Sequence, residues 1–290
     1  MLRTRLWMGA ILVVLAVAVL VVDQRLHPAY PFLFMLLLLL AEGACFELLH
    51  LLPADRRPRP WLCCLAIASL LAVNWLLHQR TAPASRADSW QWLATVFAAV
   101  VLAAFLVEMA LFREPGLSVI RIALTVWVVA YLGILPSFFA LLRWQDSTRR
   151  LTTHVGADAG TLALALAIFV PKCGDIGAYF TGRFLGRHRM SPVLSPKKTW
   201  EGAAGGMTAS VAVAIGINRL GPVIPENMAT EAGFGITVGV AGMLGDLAES
   251  LIKRDCQQKD ASQAVPGFGG ILDVVDSVIF AAPVAYWWLT

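Results

Sequence analysis

Runs of about 20 apolar residues recur along the whole chain, and they constrain its fold more than any other feature. A helix of that length crosses the hydrocarbon core of a bilayer. Only 14% of the 290 residues are charged, whereas a soluble globular domain carries about 25%. The sequence therefore predicts an all-α, polytopic integral membrane protein.

Hydropathy places the predicted spans. We expect about nine transmembrane helices, at residues 6–22, 30–52, 60–78, 89–112, 117–142, 160–182, 200–218, 233–252 and 270–289. The first run follows two arginines and resembles a signal peptide, but it continues as far as Val22. We therefore expect it to be retained as the first span.

The distribution of Lys and Arg predicts the orientation. Of the 21 such residues outside the spans, 14 lie on the side of the N-terminus and of loops 183–199 and 253–269. Basic loops face the cytoplasm, so we expect the N-terminus and both loops there. The net charge of +4 is modest and does not indicate a nucleic-acid partner. Basic loops in such a chain instead fit contact with anionic membrane lipids.

Ionisable residues inside the spans predict a polar cavity. Eight of them fall in the cytoplasmic halves of their spans: Glu47, Glu108, Lys172, Asp175, Asp246, Glu249, Asp273 and Asp276. A charge in lipid is costly, so such groups normally face a protein interior or a wet cavity. For any one of them, a snorkelling side chain or an interhelical pair is an equal explanation. Eight on one side favour a shared cavity that opens to the cytoplasm.

Two predicted helices near the end of the chain carry most of these acids. Asp246, Ser250 and Lys253 are spaced i, i+4, i+7 and share a helix face, while Glu249 and Lys253 form a favourable i, i+4 pair. The glycines of PGFGGILDVVDS let the backbone turn, and the N–H groups of the helix that follows suit phosphate. Asp246, Asp273 and Asp276 could together collect one or two hard divalent cations, and oxygen ligands beside phosphate favour Mg²⁺.

A third segment, residues 174–206, is rich in cations and glycines. Its sequence is GDIGAYFTGRFLGRHRMSPVLSPKKTWEGAAGG. The Lys and Arg side chains could hold a polyphosphate as point charges, or the loop could dock on anionic lipid. Gly202 and Gly206 form a GxxxG pattern, which is typical of close helix packing.

These three blocks together resemble a known family. The segment S-L-I-K-R-x4-K-D-x-S-x3-P-G-F-G-G-I-L-D-V-V-D at 250–276 resembles the signature of CDP-diacylglycerol synthases, or phosphatidate cytidylyltransferases. DIGAYFTGRFLG and SPKKTWEGAAGG resemble that family's other recurrent blocks. The resemblance covers 174–283, whereas residues 1–150 are similar only in being apolar spans. It implies a magnesium-dependent cell-membrane enzyme of the bacterial inner-membrane type, which makes CDP-diacylglycerol and pyrophosphate from CTP and phosphatidate for phospholipid biosynthesis.

The resemblance also implies roles for individual residues. Asp246, Asp273 and Lys253 would be catalytic, and Asp246, Asp273 and Asp276 would hold the metal. The implied substrate-binding residues are Asp175, Ser195, Lys197, Lys198, Thr199, Glu201, Ser250, Arg254, Lys259, Asp260, Gly267, Gly269 and Gly270. Residues 151–290 would form the catalytic region. Residues 1–150 would supply about five spans that act as a scaffold and as the surface of a homodimer.

The chain departs from the family pattern at three positions. Phe268 replaces the usual His, Val274 replaces an Arg, and Val265 replaces a bulkier apolar residue. All the acidic positions are kept, so we expect the reaction class to be kept and substrate preference to change. Two alternatives stay open: a related CTP-dependent membrane enzyme that acts on another lipid phosphate or a polyprenol-type alcohol, and a membrane transporter, although no internal repeat is visible.

Overall fold

The computed structural model describes residues 2–78, 86–113, 115–144, 156–258, 260–262, 264–267 and 269–290. The elements in chain order are α1 (Leu2–Gln24), α2 (Pro31–Leu51), α3 (Pro60–His78), α4 (Arg86–Ala110), α5 (Ser118–Val129), a π-helical segment (Ala130–Ile134), α6 (Leu135–Arg143), α7 (Ala159–Leu185), β1 (Arg189–Ser191), β2 (Ser195–Thr199), α8 (Trp200–Asn218), α9 (Met228–Asp255) and α10 (Ile271–Leu289). The predicted all-α membrane fold is confirmed, with one small hairpin added.

Eight helical segments among the described residues are long and apolar enough to cross a bilayer: Trp7–Gln24, Pro31–Leu51, Pro60–His78, Ser89–Ala110, Ser118–Arg143, Ala159–Leu185, Met228–Asp255 and Ile271–Leu289. Their exposed faces carry large apolar side chains, including Trp7, Leu102 and Val119, as lipid-facing helices do. The seventh predicted span, 200–218, is also a helix, α8, but it carries Glu201 and a glycine-rich first half and is not among the eight. The number of crossings therefore stays a prediction.

The span Ser118–Arg143 contains the π-helical segment between α5 and α6. Pro136 follows that segment at the start of α6. Proline has no N–H, and its ring clashes with the carbonyl four residues earlier. The helix therefore widens locally to π-helical hydrogen bonding instead of breaking. The span stays continuous and packs against α3.

Helices α7, α8, α9 and α10 pack against one another, and glycines let α7 and α8 approach closely. A Cβ on Gly206 would come 2.9 Å from the Gly174 carbonyl oxygen, and one on Gly202 would come 2.9 Å from the Ala178 carbonyl oxygen. The close packing predicted from the GxxxG pattern is confirmed. Because backbone atoms fill the space of the missing side chains, this crossing has little freedom to move.

Residues 1–150 and residues 151–290 both contribute to two buried apolar clusters. Leu33 of α2 and Trp75 of α3 belong to the same apolar cluster as Leu164 of α7, Phe234 of α9 and Ala282 of α10. A second cluster joins α2 and α3 to Leu272 and Ile279 of α10. The helices that precede residue 150 therefore pack directly on those that carry the acidic side chains of the predicted site.

Strands β1 and β2 form an antiparallel hairpin in the segment predicted as a loop. The hairpin connects α7 to α8. Thr199 ends β2 and caps α8, since its side-chain oxygen accepts a hydrogen bond from the Gly202 N–H at 3.1 Å. The hairpin therefore holds the basic residues of 189–199 in a fixed position at one end of the helix bundle.

Candidate active site

A cavity of about 510 Å³ lies between α7, the hairpin, α8 and α9. Six of the predicted site residues line it: Asp175, Ser195, Lys197, Lys198, Thr199 and Asp246. The remaining wall includes three methionines, Met190, Met207 and Met243, together with glycines of α7 and α8. The cavity therefore offers cations and hydroxyls on one part of its wall and apolar surface on the other.

Three carboxylates meet beside this cavity. Asp246, Glu249 and Asp276 each place one oxygen within 4.8 Å of the others, an arrangement that could hold a metal ion. Glu249 is 1% exposed, and its Oε1 atom has no hydrogen-bond partner among the described residues. The sequence places Glu249 among the acids of the predicted cavity and pairs it with Lys253, but Glu249 is not among the predicted metal ligands. Its spacing of three residues from Asp246 puts both on one face of α9 and could have indicated the cluster.

Three lysines form ion pairs with the acids of this region. Lys198 Nζ lies 2.9 Å from Asp246, and Lys253 Nζ lies 2.7 Å from Glu249. Lys172 Nζ lies 3.3 Å from Asp276 and 3.6 Å from Asp175. Lys172 was not among the predicted site residues, although its position three residues before Asp175 places both on one helix face.

The linked acids outnumber the lysines. Five carboxylates (Asp175, Asp246, Glu249, Asp273 and Asp276) share three lysines (Lys172, Lys198 and Lys253), which gives this group a formal charge of −2. Uncompensated charge at the depth of a membrane span is costly. The group therefore has the charge and the oxygen donors to accept a divalent cation.

Asp273 has different surroundings from the two acids predicted to share its metal. One of its oxygens pairs with Lys253, and the other accepts the Gly270 N–H at 2.7 Å and the Ala261 N–H at 3.3 Å. The hydrogen bond from the Gly270 N–H to Asp273 is half of a capping box at the start of α10. The structure brings Asp246 and Asp276 together with Glu249, and it holds Asp273 at the loop before α10.

The start of α10 also differs from the expected phosphate cradle. Glu47, on α2, accepts the N–H groups of Ile271 at 2.9 Å and Leu272 at 2.8 Å. With Asp273 on the Gly270 N–H, the first N–H groups of this helix already have carboxylate partners. Because those donors are occupied, this helix end is not open to a phosphate in the described structure.

The remaining predicted residues lie around these groups. Glu201 accepts the backbone N–H groups of Arg187 at 3.1 Å and His188 at 3.2 Å, and it contacts the His188 ring at 2.6 Å. It therefore ties the end of α7 to the start of α8 instead of facing the cavity. Arg254 reaches the Leu194 carbonyl oxygen at 3.4 Å, a contact from α9 to the hairpin.

Ser250 is half-buried on α9 and is not among the cavity-lining residues, and Asp260 is exposed. Gly267 and Gly269 have positive φ angles of 87° and 116°, so the turn before α10 does use conformations that glycine favours. Residues Val265 and Gly269 close this turn with two backbone hydrogen bonds of 2.8 and 3.0 Å. Lys259 and Phe268 lie outside the described residues.

Comparison with known proteins agrees with the resemblance seen in the three sequence blocks. The model of the cytidylyltransferase family matches residues 3–290. A phosphatidate cytidylyltransferase of Synechocystis sp. is 35% identical over 194 residues, which are 62% of this chain and 66% of that protein. The chloroplastic phosphatidate cytidylyltransferase 5 of Arabidopsis thaliana is 34% identical over 200 residues, 64% of this chain and 50% of that protein.

A phosphatidate cytidylyltransferase of Brucella suis is 41% identical over 117 residues, 39% of this chain and 41% of that protein. The matched segments thus span between two fifths and about two thirds of the length of these curated relatives. The family match is longer than any of these segments, and it includes the helices before residue 150.

Proposed function

The chain belongs to the cytidylyltransferase family, and from that premise we propose that it makes CDP-diacylglycerol and pyrophosphate from CTP and phosphatidate. The observation that carries the proposal is the two-sided cavity between α7, the hairpin, α8 and α9. Lysines and hydroxyls suit a triphosphate and a lipid phosphate, whereas methionines and glycines suit the start of the acyl chains. A lipid phosphate and a nucleotide could therefore meet there.

The proposed reaction is a nucleotidyl transfer. An oxygen of the phosphatidate phosphate attacks the α-phosphorus of CTP and forms a new P–O bond. The bond from that phosphorus to the oxygen bridging to the β-phosphate breaks, and pyrophosphate leaves with the bonding electrons. Such chemistry needs positioning and charge neutralisation more than a covalent nucleophile.

Residues of the cavity can supply the positioning and the charge neutralisation. Lys197 and Lys198 would pair with phosphate oxygens, and Ser195 and Thr199 would donate hydrogen bonds to them. Lys198 lies 2.9 Å from Asp246, so its ammonium is held at the border between the cavity and the carboxylate cluster. Arg183, whose guanidinium donates to the Tyr179 hydroxyl at 2.9 Å, adds a cation at the cavity wall.

Magnesium is part of the proposal, and the residues present fit it. Asp246, Glu249 and Asp276 would hold the ion, because they offer converging hard oxygen donors, one of them buried without a partner, in a group of charge −2. When bound, the ion would offset the negative charge of the triphosphate and of the leaving pyrophosphate. Asp273 would act from the first turn of α10, through Lys253 and the cap of that helix.

Access for a lipid is supported by the surroundings of the cavity. Phe184 follows Arg183 on α7 and is 75% exposed, and Trp200 follows Thr199 and is 60% exposed. Aromatic side chains at such positions fit a membrane interface. We propose that phosphatidate enters sideways from the lipid, that CTP enters from the cytoplasm, and that the membrane is a bacterial inner membrane.

The test is an assay of the purified chain with CTP, phosphatidate and Mg²⁺ that measures pyrophosphate and CDP-lipid together. We expect equal amounts of both products, and neither when phosphatidate is omitted. Release of pyrophosphate without a CDP-lipid would contradict the proposal. A product formed only with a different lipid phosphate or with a polyprenol would instead identify the related reaction.

A further inference from the structure

Glu47 connects the first helices of the chain to the loop that carries the site. This carboxylate lies on α2 and is 6% exposed. Its Oε1 atom accepts the Ser262 hydroxyl at 2.6 Å and the Ile271 N–H at 2.9 Å, and its Oε2 atom accepts the Leu272 N–H at 2.8 Å. One side chain from α2 therefore binds both the loop before α10 and the first turn of α10.

The packing around this carboxylate is tight. A Cβ on Gly270 would collide with the Glu47 carboxylate, and a Cβ on Gly43, one helical turn earlier on α2, would collide with Ile271. Two glycines thus bring α2 and the start of α10 into direct contact. The position of α10 along its own axis is fixed by these contacts.

That position matters for the acids. Asp273 lies in the first turn of α10, where it pairs with Lys253, and Asp276 lies three residues further on, where its carboxylate meets those of Asp246 and Glu249. A shift of α10 along its axis would carry both acids away from α9. The geometry of the carboxylate cluster therefore depends on what holds the start of α10.

We infer that Glu47 is a positioning residue for the site: it anchors α10 and the preceding loop to α2, and so sets Asp273 and Asp276 opposite α9. The inference rests on the proposed nucleotidyl transfer, and it gives a helix outside the three recurrent sequence blocks a role in the reaction. Glu47 touches neither proposed substrate and acts only through the position of other residues.

A carboxylate is needed at this position because both of its oxygens accept N–H donors. Gln has one oxygen and one NH₂ group, so one of the two backbone N–H groups would face another donor. A buried donor left without an acceptor is costly. Glu47→Gln keeps the size of the side chain, so it disturbs the anchor with little change in packing.

Glu42→Gln is the matched control. Glu42 lies on the same helix, and its carboxyl contacts the thiol of Cys64 on α3 instead of the loop before α10. The substitution and the helix are the same, and only the partner differs. Ser262→Ala is a milder second variant, because it removes one of the three donors and leaves the contact between α2 and α10 in place.

The experiment combines hydrogen exchange with kinetics on the full chain in detergent or nanodiscs. In Glu47→Gln we expect the amides of Ile271 and Leu272 to exchange about tenfold faster or more, because they lose charged acceptors. We expect kcat to fall about tenfold or more, with a smaller change in the KM for CTP, whose proposed contacts lie on the hairpin. Ser262→Ala should show the same changes more weakly, and Glu42→Gln should show neither.

Unchanged exchange at Ile271 and Leu272 in Glu47→Gln would overturn the inference, as would an equal fall of kcat in Glu42→Gln. If Glu47→Gln does not fold, a Ser262→Ala variant with wild-type exchange and kcat would overturn it as well. Failure of the proposed function would look different, because the unmodified chain would then make no CDP-lipid. The exchange measurement needs no substrate and would still show whether Glu47 anchors α10.

Discussion

Asp246 and Asp273 lie on neighbouring helices, and each faces a lysine, yet their surroundings indicate different roles. Asp246 lines the cavity and shares its carboxylate cluster with Glu249 and Asp276. Asp273 accepts two backbone N–H groups of the loop before α10. The two Asp→Asn variants should therefore fail in different ways.

We expect Asp246→Asn to fold normally and to lose activity by about a hundredfold, the scale of removing a principal electrostatic stabiliser. Because the variant removes charge from the proposed metal cluster, part of the loss should return at high magnesium or with manganese. Activity titrated against metal concentration, with thermal unfolding as the control for folding, measures this. A well-folded variant with near-normal turnover would refute the metal assignment.

We expect Asp273→Asn to change stability as well as activity. The variant leaves Lys253 with only Glu249 and weakens the cap of α10, which costs about 1–2 kcal/mol of unfolding free energy. Its melting temperature should fall, and added metal should not restore its activity. Full recovery at high magnesium, with an unchanged melting temperature, would show that Asp273 is a metal ligand, as the family resemblance implies.

The sequence predicts a group of acids in the apolar segments but not which basic side chains they pair with. Asp246 and Asp276 were singled out because carboxylates in apolar segments need a partner. The predicted site omits Glu249, which the sequence pairs with Lys253 on its own helix, and it omits Lys172, although both are among the eight ionisable residues of the predicted cavity. Which lysine faces which acid depends on the packing of α7, α9 and α10, and helix periodicity carries no information on contacts between helices.

At the scale of helices, the crossing of α7 and α8 depends on Gly206. A Cβ there would lie 2.9 Å from the backbone oxygen of Gly174, which cannot move aside as a flexible side chain can. We expect Gly206→Ala to push the helices apart and lower the free energy of unfolding by about 1–3 kcal/mol. Activity should fall too, because the cavity lies between these helices.

Gly216 is the control on the same helix. Nothing lies within 4 Å of the Cβ that it would carry. Gly216→Ala should be neutral or should stabilise the protein by up to about 1 kcal/mol, because Ala is the better helix former. Equal melting temperatures for Gly206→Ala and Gly216→Ala would contradict the close crossing.

The start of α7 depends on Asp158, outside the spans. Its carboxylate caps the helix at the Thr161 N–H and forms two hydrogen bonds with Arg143, at 2.7 and 2.9 Å. Burial of the Asp158 carboxyl raises its pKa, but Arg143 and Thr161 more than offset this, so the pKa lies below its ordinary value. A lowered carboxyl pKa stabilises the fold above the unfolded-state pKa, and this contribution is lost as the pH falls through the folded-state pKa.

We therefore expect Asp158→Asn to lower the melting temperature at neutral pH, where Arg143, 3% exposed, loses its ion-pair partner. The difference from the unmodified chain should begin to shrink below about pH 4, where the unfolded-state carboxyl takes up a proton, and it should go on shrinking until the pH falls below the lowered folded-state pKa. Melting curves between neutral pH and pH 3 measure this. A difference that stays constant over that range would show that the cap acts through shape alone.

Two elements were beyond prediction from the sequence, for physical reasons. The hairpin β1–β2 forms where the sequence predicts a loop, since its strands of three and five residues are short and mostly polar. The start of α10 was predicted to bind phosphate from its glycines, but Glu47 occupies its N–H groups. That contact joins residues 224 and 225 positions apart, and no local pattern shows it.

At the scale of the whole molecule, the cationic side chains lie at the two ends of the helix bundle. The end with the hairpin and the loop before α10 carries Lys197, Lys253 and Arg254 besides the arginines of 183–189. The other end carries Arg143, which pairs with Asp158, and Arg219, which pairs with Glu231, while Lys253 at the hairpin end pairs with Glu249 and Asp273. Orientation by basic loops depends on the number of Lys and Arg residues and little on the acids that pair with them, so the orientation stays a prediction. Dimerisation through residues 1–150 stays a prediction.

Helix α8 connects the two ends. Its 19 residues span about 28 Å at 1.5 Å per residue, close to the thickness of the hydrocarbon core. If α8 crosses the bilayer, the hairpin before it and the turn after it lie on opposite sides of the membrane. Positions Val193, 87% exposed in the hairpin, and Glu226, exposed in the turn, can report this.

We expect Val193 to be cytoplasmic and Glu226 to lie outside, because the hairpin end carries the excess of cations and the proposed substrate CTP is cytoplasmic. The test places a single cysteine at either position after the five native cysteines are replaced, and it uses a maleimide that does not cross membranes. Added outside intact cells, the reagent should label Glu226→Cys and not Val193→Cys, whereas disrupted cells should show labelling of both. Labelling of Val193→Cys alone would reverse the orientation and place the cavity away from its nucleotide. Labelling of both in intact cells would show that α8 does not cross, so that the hairpin and the turn share the outer side.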